Sequence, residues 1–136
     1  MIKVRPSEHE EQKAVVTWAK IMTTRYPELE LIYAIPNGAK LPYVGKGKNR
    51  YSPQAMKLKA EGLHPGIPDL CLPVNRHGYG ALYIEMKVGY NKPSPEQESV
   101  ITKLRSYENC VYVCYSADEA IGKIKEYLDI PITGEY

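Results

Sequence analysis

Apolar and polar positions along this chain follow two periods, and each switch between them marks an element. In "SEHEEQKAVVTWAKIM", Val15, Val16, Ala19 and Met22 recur at helical spacing, and Ser7 with Glu10 three residues later gives a capping signal. "LELIYAI", over 29–35, reads as a strand stopped by Pro36, Asn37 and Gly38. Residues 36–52 read as a long loop carrying Gly and Lys. Ser52-Pro53 opens a short helix that Gly62 closes. "GIPDLCLPVNRHGYGALYIEMKVG", over 66–89, reads as two strands and a tight connection. "SPEQ" at 94–97 starts a further helix with Val100, Ile101 and Leu104 as its stripe. "CVYVCY" is a β-branched and aromatic strand, and Ser116 with Glu119 opens a last helix carried by Ala120, Ile121, Ile124 and Leu128. The order α-β-α-β-β-α-β-α predicts an α/β sandwich with helices around a central mixed sheet.

The middle hairpin breaks the apolar pattern. Side chains alternate faces along a strand. Leu82, Ile84, Met86 and Val88 therefore share one face, and Tyr83, Glu85 and Lys87 share the other. Asp69 lies opposite the Leu70, Leu72 and Val74 face of its strand. A hairpin folding near His77 pairs position 69 with 85, which sets two carboxylates directly across from each other. Like charges so placed destabilise a sheet. A hard divalent cation offsets that repulsion, because it takes carboxylate, water and phosphate oxygens. Lys87 points to the same place and is suited to orient water or to stabilise charge on a phosphoryl oxygen. The plainer reading of the three residues is a surface salt-bridge cluster on a wet hairpin face.

Composition narrows the field. A chain of 136 residues suggests one domain over 1–136, with a core over about 7–128 and a short tail at 129–136. The net charge of +2 excludes a general polycation, so a nucleic-acid partner has to be argued from local patches. Cys71, Cys110 and Cys114 sit in apolar runs without a CxxC pair and read as reduced core residues. No apolar stretch approaches the roughly 20 residues of a membrane helix, and the expectation is a soluble, cytoplasmic protein with no membrane partner. His9, His64 and His77 are scattered, which argues against structural zinc. No Gly-rich phosphate loop is followed by Lys and Ser or Thr, so no nucleotide cofactor is expected.

The ordered set "SEHEEQ", "GIPDL", "IEMK" and "SPEQ" resembles the VRR-NUC family of the PD-(D/E)xK, or restriction-endonuclease-like, nucleases. The likeness runs from about residue 7 to 120, and a domain standing alone looks most like the bacteriophage and prophage members. The resemblance implies a Mg²⁺- or Mn²⁺-dependent nuclease and, for some stand-alone members, a homodimer acting on branched DNA. Carried over by position, Asp69 and Glu85 would be metal ligands, the Met86 backbone carbonyl a third, and Lys87 the catalytic lysine. The family also uses an acid on the first helix, followed four residues later by Gln. Glu8 with Gln12 fits, directly or through water, and Glu11 is the alternative because it shares a face with Val15 and Trp18. Either acid also suits a helix N-terminus for its own sake. Gln97 would join the site, although its place three residues after Ser94 also makes it a cap.

The segment over 37–52 carries Lys40, Lys46, Lys48 and Arg50, interleaved with Tyr43 and Tyr51, and no acid. Such a loop suits phosphate contacts and base stacking, or is simply solvated. "PNG" resembles a family element near the active site, which implies that Asn37 touches the DNA backbone or a metal-bound water, and Lys92 is a further phosphate candidate. The resulting expectation is an endodeoxyribonuclease of Holliday-junction-resolvase type. The rivals are a nicking or linear-duplex nuclease and a catalytically silent nucleic-acid-binding module.

Overall fold

The structure is a computed structural model that describes residues 5–36 and 41–131. Among these residues four helices and four strands form: α1 (Glu8–Met22), β1 (Tyr33–Ala34), α2 (Pro53–Ala60), β2 (Leu70–Leu72), β3 (Leu82–Met86), α3 (Pro95–Ser106), β4 (Cys110–Cys114) and α4 (Ala117–Tyr127). The sheet runs β1-β2-β3-β4. The first two pairings are antiparallel, and β3 lies parallel to β4 because α3 carries the chain back between them. This is the mixed sheet with flanking helices that the hydrophobic periods predict.

Each helix starts where a hydroxyl can take an orphan N–H. Ser7, Ser52, Ser94 and Ser116 accept from Glu10, Ala55, Gln97 and Glu119 respectively. At α3 the box is closed in both directions, since Gln97 Oε1 accepts from the Ser94 N–H at 2.9 Å. The sheet's first face, with Leu70, Leu72, Leu82, Ile84, Met86 and Cys114, packs under α1 and α4 through Val15, Ala19, Ala120 and Ile124. Packing continues past α4 to the buried Ile130. The second face carries Cys71, Tyr83, Glu85 and Val111, and α3 covers its β4 side. All three cysteines are free and buried.

One predicted element differs. Residues 29–35 do not form a seven-residue strand: Pro27–Leu31 is a 3-10 helix, and only Tyr33–Ala34 pairs with β2. A strand would put Leu29 and Leu31 on one face. Instead Leu29 is buried at 1% exposure and Leu31 is 54% exposed. Pro27, with its fixed φ, begins the turn, and the Ile32 N–H returns to the Leu29 carbonyl. Among the described residues no helix is long and apolar enough to cross a membrane.

The long loop is also more ordered than its composition predicts. Val44 and Tyr51 exchange two backbone hydrogen bonds of 2.7 and 2.8 Å around a short 3-10 turn at Gly47–Asn49. Gly45 makes this possible: its φ is +89°, and a Cβ there would lie 2.7 Å from the Asn49 carbonyl oxygen.

Candidate active site

The hairpin has the register that folding about His77 requires. Leu70 pairs with Ile84, and Leu72 with Leu82. One step further, Asp69 faces Glu85. His77 sits in the turn with φ +52°, and Arg76 and Tyr79 bridge beneath it. Asp69 is held at both its ends: its carbonyl accepts from the Ile35 N–H, and Oδ2 accepts from the Met86 N–H at 2.8 Å. The loop before it is set by Gly66, whose φ is +89° and whose Cα approaches α3 so closely that a Cβ would lie 2.9 Å from the Glu96 carbonyl oxygen. A glycine just before the Pro68-Asp69 pair is thus a packing requirement.

Glu85 is the unusual group. It is 2% exposed, which removes it from the wet-face salt-bridge reading. Burial in the sheet pushes its carboxyl from the ordinary 4.5 up to about 9, helped by a hydrogen bond to Asp69 and by that residue's charge. Lys87 opposes the shift and Glu8 adds to it. At neutral pH Glu85 therefore keeps its proton beside Asp69. Gln97 closes the group from α3: its Nε2 donates toward both Glu85 oxygens at 3.4 Å, while its Oε1 caps the helix. Its two amide ends serve the two roles that the sequence leaves as alternatives.

The two candidate acids on α1 are separated. Glu8, half-buried in the first turn, is the acid on α1 whose charge is felt at Glu85. Glu11 instead accepts from the Ala117 N–H, the first of α4, and so caps a helix 106 residues away. Gln12 is half-buried on the same helix.

The donor set fits a hard cation of the Mg²⁺ type, which is commonly bound by one or two carboxylates with water and substrate phosphate. Asp69 and Glu85 supply two facing carboxyls, and the proton on Glu85 is what a cation would replace. Among the described residues no three His, Cys, Asp or Glu side chains cluster closely enough to enclose a metal by themselves. Any further ligands must therefore be backbone, water or substrate.

A cleft of about 440 Å³ is lined by Lys87 and by Gln97, which reaches Glu85, together with Lys59, Lys92 and Tyr43. Lys92 was among the sequence-based phosphate candidates. Lys59, in the last turn of α2, was not. Lys46, Lys48 and Arg50 are exposed on the 44–51 ribbon, and the Arg50 guanidinium stacks 4.5 Å from the centre of the Tyr43 ring. Asn37 and Lys40 lie outside the described residues.

Among curated proteins, none matches this chain. A solved structure described as a VRR_NUC domain protein is 26% identical, superposes with a TM-score of 0.72, and is covered over 93% of this chain and 91% of its own. The family model for the VRR-NUC domain matches residues 7–118, from the Ser7 cap through the hairpin to the start of α4. On that match the chain belongs to the VRR-NUC domain family, a family of nuclease domains.

Proposed function

We propose that this protein is a Mg²⁺- or Mn²⁺-dependent endodeoxyribonuclease that hydrolyses phosphodiester bonds at the Asp69–Glu85 pair. The observation that carries the reading is a carboxyl buried to 2% exposure with its pKa raised to about 9, facing a second carboxyl and bonded by Gln97, which also lines a lysine-walled cleft.

Asp69 and Glu85 would hold the cation, with the Met86 carbonyl and, through water, Glu8 as further donors. When bound, the cation supplies positive charge to the scissile phosphate and acidifies water. The Gln97 amide would keep Glu85 aimed as a ligand. The Met86 N–H does the same for Asp69. Lys87 orients the attacking water or neutralises charge developing on a phosphoryl oxygen. The cleft lysines and the 44–51 ribbon bind flanking phosphates. Branched DNA is the preferred substrate in this reading, cut by a homodimer, because symmetric cleavage of a junction needs two sites related by a twofold axis.

The test is cleavage of labelled four-way junction, flap and linear duplex DNA with Mg²⁺, Mn²⁺ or EDTA, beside Asp69→Ala. Paired nicks in the junction, lost with EDTA and in the variant, are expected. Tight binding with no cut in any substrate under either metal would leave a binding module in place of an enzyme.

A further inference from the structure

The cleft beside Lys87 has the volume of a small-ligand pocket. Its volume of about 440 Å³ lies within the roughly 300–1,000 Å³ of pockets that enclose small ligands. Continuous duplex is instead gripped along its phosphates by open surfaces. Its walls carry three lysines, Lys59, Lys87 and Lys92, against one glutamate, Glu96, so the enclosed ligand is anionic. One wall is an aromatic ring, Tyr43, held by the Arg50 guanidinium at 4.5 Å. An anion with a flat apolar part is a nucleotide, and each base has a π-face to offer such a ring.

We propose that this cleft receives a single unpaired nucleotide next to the scissile phosphate, with its base against Tyr43 and its backbone on Lys59 and Lys92. The proposal rests on the nuclease reading and deepens it, since it says how a cut site is chosen. Lys87 and Gln97 belong both to the cleft and to the carboxyl site, so a nucleotide lodged there sets its own phosphate at the acids. Drawing a paired base into the cleft costs unstacking and unpairing, and a base already unpaired spares that cost. The selected feature of the DNA is then the unpaired nucleotide found at branch points, gaps and bulges.

The experiment uses the full chain in EDTA and a duplex with one bulged 2-aminopurine, beside the same duplex with that base paired. Fluorescence of the bulged probe should be quenched on binding, and its Kd should be about tenfold lower than that of the paired probe. Tyr43→Ala should bring the two Kd values together and abolish the quench, and Tyr43→Trp should restore both. Lys59→Ala should weaken the bulged probe by several-fold. Equal affinity for the two probes in the wild-type protein, or an undiminished preference in Tyr43→Ala, would overturn the proposal. Because no metal is present, the outcome is independent of cleavage. A preserved quench in a protein that cuts nothing with Mg²⁺ or Mn²⁺ supports the cleft and sinks only the nuclease reading.

Discussion

Replacing Glu85 by Gln should make the metal-free protein more stable at alkaline pH while removing its activity. The Glu85 carboxyl is held at about 9 in the folded protein, against an ordinary 4.5. Between those values the native state keeps a proton that the unfolded chain has released. A group whose folded pKa is raised contributes stability that is complete below its unfolded pKa and fades as pH rises toward the folded value. The slope is about −1.4 kcal/mol per pH unit for one proton, so about 3 kcal/mol is lost between pH ~5.5 and ~8. Glutamine has the same shape and no proton to lose. Its amide can still donate to Asp69 and accept from the Gln97 Nε2 that now faces Glu85. Urea unfolding in EDTA at several pH values measures the difference. The wild-type curve should fall away from that of Glu85→Gln by one proton's slope across this window, since every other titrating group is common to both. Parallel curves would refute the buried, protonated Glu85, and with it the reason given for a cation at this site.

Three further outcomes follow from the same geometry. Mg²⁺ at a hundredfold excess over its Kd should stabilise the wild-type protein by about 2.7 kcal/mol in thermal or urea unfolding and leave Asp69→Ala unmoved; equal effects on both would place the ion elsewhere. Glu11→Ala should lower stability by about 1 kcal/mol through loss of the α4 cap, with the cleavage rate per folded molecule little changed. Glu8→Ala should do the reverse, and single-turnover rates beside unfolding curves would expose an exchange of these roles. Gly66→Ala forces φ +89° on a Cβ that would lie 2.9 Å from the Glu96 carbonyl oxygen. It should cost about 2 kcal/mol or more in urea unfolding, and a neutral result would show that the loop before Asp69 is free to move.

Much of this fold was written in short-range patterns. Serine caps, prolines at first helical positions and apolar stripes located all four helices, because capping and burial act within a few residues. The hairpin register was also legible, since side chains alternate with period two and a fold about His77 keeps both leucine rows on one face. The pairing of Asp69 with Glu85 followed from that register alone.

What lay beyond the sequence depends on which surfaces meet. The strand expected at 29–35 gave way to a 3-10 turn because Leu29 had a core to enter and Leu31 did not. Glu8 and Glu11 are near equivalents on a helical wheel. Their roles were decided when α4 delivered its first N–H to Glu11 and the sheet brought Glu85 within reach of the charge on Glu8. Lys59 became a cleft wall only when α2 was set against the hairpin and the start of α3. The raised pKa of Glu85 is a tertiary property for the same reason. A sequence can set two carboxyls opposite one another, but only the surrounding protein decides how much water is left to keep both of them charged.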